Sequence, residues 1–190
     1  MKAYILLGNT RENSNTAALA GIFRDELAAK GVDVKEVPLR TKNVQTCVGC
    51  DECHGNMASF GCVTGDDMKE IAEGMLASDL IVLASPIYSW MPTPILKAVM
   101  DRAYAFTKYP EDGESFNLMK KQKFAMIATS AEACEENCDL FDEAVSRMAD
   151  FAGRPYLGCL TAQDLGDGNI ARPDVVEDAR SFAEMCMNEF

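Results

Sequence analysis

Short apolar runs alternate with stretches of helical period along the whole chain. That alternation is the pattern of a parallel sheet whose strands are joined by helices. Residues 3–7 read as the first strand, and 14–30 as a helix with Leu19, Ile22, Phe23 and Leu27 on one stripe and Gly31 as its stop. Residues 32–39 read as the second strand, followed by a cysteine-rich loop, 46–65, and a short helix over about 66–77. The unbroken apolar run 80–84 is the third strand, after which Thr93 caps a helix that has Pro94 in its first turn. A fourth strand at 123–129, a helix at 137–152, a fifth strand at 155–161 and a closing helix at 173–187 complete the pattern. With no repeat and no long linker, the expectation is one α/β domain over residues 1–190. Its architecture is a doubly wound five-stranded parallel sheet, order 2-1-3-4-5, in three α/β/α layers.

Charge narrows the function. Eighteen basic against thirty acidic side chains leave a net charge of −12 over 190 residues, which argues against nucleic acid and anionic membrane as partners. No apolar stretch is long enough to span a bilayer, and the start, Met1 to Leu7, is too short for a signal-peptide core. The expectation is a soluble, cytoplasmic chain. In a reducing compartment its eight cysteines point to metal, cluster or redox use rather than to a disulfide framework.

The loop after the first strand, Gly8-Asn9-Thr10-Arg11-Glu12-Asn13-Ser14-Asn15-Thr16, runs into a helix start, a position where free N–H groups and the helix dipole favour an anion. It contains neither G-x-x-x-x-G-K-[ST] nor G-x-G-x-x-G, so an ordinary polar loop capped by Ser14 or Thr16 is the alternative reading. The loop after the third strand, Ser85-Pro86-Ile87-Tyr88-Ser89-Trp90-Met91, flanks the same switch point and carries two aromatics suited to lie against a flat ring. Together the two loops favour a phosphorylated aromatic cofactor.

Gly8 to Thr16 resembles the G-S-x-R-x-x-S-N-T phosphate loop of the flavodoxin-like NAD(P)H-dependent FMN reductases. Ser85-Pro86-Ile87-Tyr88 and Leu96-Lys97-Ala98-Val99-Met100-Asp101-Arg102 are similar to that family's S-P-x-Y and L-K-x-x-x-D-R elements. Asn9 stands where the family usually has serine, and an amide can still donate to phosphate. The resemblance implies a flavodoxin-like fold, with Asn9, Arg11, Ser14, Asn15 and Thr16 on the FMN phosphate and Pro86, Ile87, Tyr88, Ser89 and Trp90 bordering the isoalloxazine. Lys97 and Asp101 read as an i,i+4 ion pair.

Cys47, Cys50 and Cys53 form C-x2-C-x2-C, and Cys62 follows after eight more residues. Three thiolates at that pitch can wrap a compact cluster, and a fourth completes the set. Zinc usually takes two separated C-x2-C knuckles, so the third close cysteine favours iron–sulfur, with zinc and unligated thiols as alternatives. The arrangement resembles the cysteine motif of iron–sulfur flavoproteins, which carry a [4Fe-4S] cluster beside FMN. The loop's start lies at the flavin edge of the sheet, roughly 5–10 Å away by strand spacing. His54, in the same loop, has no necessary role. Cys159 and Cys186 read as small buried hydrophobes, while Cys134 and Cys138 are either structural or an i,i+4 redox pair.

Three functions fit these features. One is an FMN oxidoreductase with a cluster, taking electrons from a ferredoxin-like carrier and passing them to a small-molecule acceptor. The second is a cluster-free NAD(P)H-dependent reductase of flavin or quinone, and the third a flavodoxin-type electron carrier. In the redox enzymes the flavin carries the chemistry and no side chain acts as acid or base. The resemblance also implies a homo-oligomer, dimer or tetramer, with loop 106–118 and its Phe106, Tyr109 and Phe116 as the candidate contact.

Overall fold

In the computed structural model, which describes residues 1–166 and 170–190, the apolar runs are strands and the periodic stretches helices. In chain order they are β1 (Lys2–Leu7), α1 (Asn15–Ala29), β2 (Asp33–Pro38), α2 (Met68–Ala77), β3 (Leu80–Pro86) and α3 (Pro94–Arg102). A two-residue antiparallel pair follows, β4 (Thr107–Lys108) and β5 (Phe116–Asn117), then β6 (Lys123–Ser130), α4 (Asp139–Phe151), β7 (Tyr156–Gln163) and α5 (Pro173–Asn188). The five long strands form one parallel sheet in the order β2-β1-β3-β6-β7. This is the flavodoxin-like order read from the sequence, once β4 and β5 are set aside.

Alternation along the strands divides the core. Tyr4, Leu6, Ile81, Leu83, Phe124 and Met126 pack under α2, α3 and α4, while Ile5, Val82 and Ile127 pack under α1 and α5. Each fully buried aliphatic side chain of this kind contributes about 1.5–3 kcal/mol. Helix α1 starts where Ser14, extended at φ −139°, accepts a hydrogen bond from Ala17 N–H at 3.2 Å, and it stops at Gly31, whose φ of +83° suits a residue without Cβ. Among the described residues no helix is long and apolar enough to cross a membrane.

Three local expectations are corrected. Loop 106–118 contains the β4–β5 pair, and Phe106 is not an exposed anchor: it is buried, its ring centroid 4.9 Å from that of Phe60. Tyr109 and Phe116 remain exposed. Cys159 is not a core residue, because β7 is an edge strand and Cys159 points to its open side. Thr93 precedes α3 but makes no capping bond, its hydroxyl being used elsewhere. Cys186 is buried as expected, and Lys97 pairs with Asp101.

Candidate functional site

The loops after β1 and β3 are tied together at the C-terminal edge of the sheet, where the strand order reverses. Gly8 N–H donates to Ala84 O at 2.7 Å, and Thr93 Oγ1 donates to Gly8 O at 2.7 Å. Thr93 N–H in turn donates to Ser85 Oγ at 2.9 Å, and that hydroxyl donates to Pro86 O at 2.8 Å. A Cβ on residue 8 would stand 2.9 Å from Leu96 Cβ and 3.0 Å from Thr93 Oγ1. Glycine is therefore required by close approach, and the knot fixes the separation of the two loops.

Between them lies a cavity of about 180 Å³. The predicted Asn9, Arg11, Ser14, Asn15 and Thr16 line it from one side, and Pro86, Ile87 and Tyr88 from the other. The first backbone N–H groups of α1 have no carbonyl partner inside the helix, so this end presents donors without side-chain charge. Thr16 Oγ1 and Thr129 Oγ1 are 2.6 Å apart and buried. One proton serves that bond, which leaves the second hydroxyl proton free for a ligand. Asn9 is buried, and its amide donates to Arg11 O at 2.6 Å, bracing the loop from inside. Its Oδ1 is buried with no partner among the described residues, an acceptor that a hydroxyl or N–H of a ligand would satisfy.

Ser89 and Trp90 do not line this cavity. They form the tip of a tight turn in which Tyr88 and Met91 exchange backbone hydrogen bonds of 2.9 and 3.1 Å. Ser89 (φ +49°) and Trp90 (φ +65°) both occupy the left-handed region, which costs non-glycine residues roughly 1–2 kcal/mol each. The Trp90 ring stands out in solvent, 54% exposed, while Tyr88 OH lies 3.1 Å from Thr10 Oγ1. Thr129, Ser130 and Asp164 also line the cavity and were missed. Their signal was the change from apolar to polar residues at the ends of the fourth and fifth strands, the same edge that supplies the other two loops.

Cys47, Cys50, Cys53 and Cys62 border a second cavity of about 160 Å³, together with Asp101, Arg102 and Tyr104. The loop leaves the sheet beside the first cavity, but its thiols are set down at the far end of α3. Among the described residues, no three side chains of His, Cys, Asp or Glu are already gathered at metal-binding distance. The four free thiols share one cavity without being drawn to a common centre.

Two buried cations underlie this loop. Arg102 pairs with Asp66, both side chains sealed from solvent, and donates to Cys62 Sγ at 3.2 Å. Burial raises the Cys62 thiol, but Thr64 and the Arg102 guanidinium outweigh it, and the net shift is downward. Lys108 is wholly buried and donates to Cys53 O at 2.8 Å and Phe60 O at 3.2 Å, with no carboxylate partner among the described residues. Burial lowers its ammonium pKa and raises the Cys53 thiol, each opposed by the other's charge. Gly61, at φ +75°, lets the chain pass: a Cβ there would meet Cys53 O at 2.7 Å. His54 bonds Thr107 O through Nδ1 at 3.0 Å and packs edge-on to Tyr104 and Tyr109, a packing role.

The sequence profile of the NADPH-dependent FMN reductase family matches residues 1–138. The chain belongs to that family. It is 33% identical over 110 residues to an iron–sulfur flavoprotein of Archaeoglobus fulgidus, an alignment covering 58% of this chain and 49% of that one. The chain thus spans about half the length of that curated relative. A Bacillus subtilis protein named for an NAD(P)H-dependent FMN-containing oxidoreductase is 24% identical over 184 residues, covering 96% of this chain and 93% of its own. The NAD(P)H:quinone oxidoreductase structure from Methanothermobacter marburgensis superposes with a TM-score of 0.74 at 16% identity, covering 96% of this chain and 94% of that one, a likeness of fold.

Proposed function

We propose that this family member is an FMN-dependent oxidoreductase that carries electrons from NAD(P)H or a reduced ferredoxin-like carrier to a small-molecule acceptor, with a [4Fe-4S] cluster on Cys47, Cys50, Cys53 and Cys62. The observation that carries the reading is that one chain has both an anion-ready cavity between the loops after β1 and β3 and a separate cavity bordered by four free thiols. FMN would supply the redox chemistry. Asn15, Thr16 and the α1 N-terminus would hold its phosphate, with Arg11 adding charge at the mouth, Asn9 bracing the loop, and Ser14 capping the helix. Pro86, Ile87 and Tyr88 would border its ring, and Trp90 and Ser89 would shield it from the turn above. The cysteine cavity fits an anionic cluster because Arg102 already donates to Cys62 Sγ and the Lys108 ammonium is held on the carbonyl of Cys53, so positive charge stands beside two of the four thiols. Tyr109 and Phe116, exposed beside this site, are the proposed contact in a homodimer.

Anaerobic purification followed by flavin, iron and sulfide analysis tests the reading. The expected result is FMN together with iron and sulfide, and loss of iron but not FMN when Cys47, Cys50 or Cys53 becomes serine. FMN without iron or sulfide in the anaerobic protein refutes the cluster. Unweakened FMN binding in both Arg11→Ala and Thr16→Val refutes the phosphate assignment.

A further inference from the structure

A second group of thiols lies on the other side of the cofactor cavity, where β6 gives way to α4. Ser130, the last residue of β6, lines that cavity, and its Oγ is 3.3 Å from Cys134 Sγ and 3.7 Å from Cys138 Sγ. Cys138 immediately precedes α4, and its N–H donates to Cys134 O at 2.8 Å, closing one helical turn. That turn brings the two Cα atoms to about 6 Å, within the span a disulfide bridges without moving the backbone. The Cys138 thiol donates to Ser130 Oγ, so that hydroxyl bridges the two sulfurs. Both sulfurs face a separate surface cavity of about 220 Å³, with Cys159 on its β7 wall and Glu135, Asp139 and Asp142 around it. Cys134 is half-buried at this wall and Cys138 is buried behind it.

We propose that Cys134 and Cys138 are a dithiol–disulfide pair that exchanges with small disulfides, Cys134 attacking and Cys138 resolving, with a preference for neutral or cationic disulfides. The Cys134 thiolate attacks one sulfur of RS–SR, forming Cys134–S–S–R and expelling RS⁻, which takes a proton from water. Cys138 then gives its proton to solvent, and its sulfur attacks Cys134, expelling the second RS⁻. Two electrons pass from the protein dithiol to the small disulfide, giving one protein disulfide and two RSH, and excess RSH reverses both steps.

The positions assign the roles. Both cysteines border the cavity, but Cys134 is the more exposed of the two and Cys138 is buried, so Cys134 meets the substrate first and Cys138 attacks from its inner side. The neighbouring Cys138 thiol, with Ser130 and Thr161, holds the Cys134 thiol down to about 6, against its own burial and Glu135, while the adjoining Cys134 and burial hold the Cys138 thiol up. Cys159 is exposed as a residue, yet desolvation around its sulfur and the neighbouring Asp142 push it up to about 11, so it is a poor nucleophile despite its access. The three carboxylates around the cavity repel anionic disulfides and attract cationic ones.

The test uses the full chain, reduced anaerobically and exposed to cystamine or to oxidised glutathione at low ionic strength, quenched in acid and mapped after alkylation. Both cysteines fall in one tryptic peptide, 124–147, so their disulfide reads as the loss of two hydrogens and two alkylation sites. The expected results are that disulfide, formed about tenfold faster with cystamine than with oxidised glutathione, and accumulation of a mixed disulfide on Cys134 in Cys138→Ala. Cys159→Ser leaves the exchange intact. The proposal is overturned if Cys134 reacts no faster than Cys159, or if Cys138→Ala accumulates no mixed disulfide. Equal rates for the two disulfides overturn the charge preference. The mapped peptide contains neither the cysteine-loop thiols nor the phosphate loop, so its outcome is independent of FMN and cluster.

Discussion

Replacing Arg102 by methionine keeps the volume of the side chain and removes a charge that three groups share. The guanidinium donates to Asp66 Oδ2, to Gln45 O at 3.3 Å and to Cys62 Sγ at 3.2 Å. Asp66 would keep the backbone N–H groups of Gln45 (2.8 Å) and Met68 (3.1 Å) but lose its counter-charge while remaining sealed from solvent. Breaking one side of a buried pair costs about 3–5 kcal/mol. Because those two backbone donors remain, the lower end, about 3 kcal/mol, applies. Urea denaturation measures it. The pair also has a pH signature. Burial raises the Asp66 carboxyl, but the Arg102, Gln45 and Met68 hydrogen bonds prevail and hold it below its ordinary 3.8. Its stabilisation is therefore present above pH 3.8 and is lost as the pH falls through the depressed folded value. In Arg102→Met that acid-side loss shrinks, and Asp66→Asn in the same chain recovers part of the stability. A loss below about 1 kcal/mol, or a double variant less stable than both singles, refutes the buried-pair account.

Gly61→Ala combines a positive φ with a 2.7 Å approach to Cys53 O. It should cost about 1–2 kcal/mol or more in thermal unfolding, and a neutral result refutes the close approach. Gly8→Ala pushes Leu96 and Thr93 apart and should weaken FMN binding more than Thr93→Val does, read by fluorescence titration. Thr16→Val removes one of the two hydroxyls of the Thr16–Thr129 pair at the phosphate end of the cavity and should lower FMN affinity about tenfold with little change in melting temperature. Lys108→Met removes a buried ammonium without a carboxylate partner, so the metal-free chain should be no less stable, while iron retention falls. Equal retention in variant and parent refutes the counter-charge role.

The sheet order was legible because its strands are long, apolar and separated by helices whose stripes are unambiguous; the run 80–84 could only be a buried strand. The two loops of the first cavity were legible because their polar residues follow directly on those strands. Thr129 and Ser130 were less visible, since two small polar residues at a strand end read equally well as the start of a turn. Phe106 was misplaced because aromatic spacing carries no sign of burial, and a two-residue hairpin leaves almost no periodicity to read. Cys159 was misplaced because a parallel strand reads the same at the edge as at the centre until the helix layer over it is known. Lys108 could not have been found at all: a lysine in a polar loop is ordinarily solvated, and only the path of a different segment, residues 53–61, covers it.

That covering segment bears on why an acidic chain buries two cations in one place. With a net charge of −12 the surface already repels anions, so a loop that holds several thiolates together, as the proposed cluster requires, works against the field of its own protein. Surface lysines would relieve little of this, because water and salt screen them. Cations inside the loop act through a less polarisable medium and lose little by being fixed before a ligand binds. Arg102 meets that requirement with a permanent charge anchored by Asp66, and Lys108 with an ammonium that, among the described residues, is held by carbonyl dipoles and no carboxylate. The difference matters chemically. Arg102 and Asp66 cancel locally, so Lys108 supplies the uncompensated positive charge, and it does so beside Cys53, the third cysteine of the compact motif. Under the proposed cluster reading that charge has a use, and without a cluster a methionine of similar length would avoid the cost of desolvation, which is why the Lys108→Met comparison separates the two accounts.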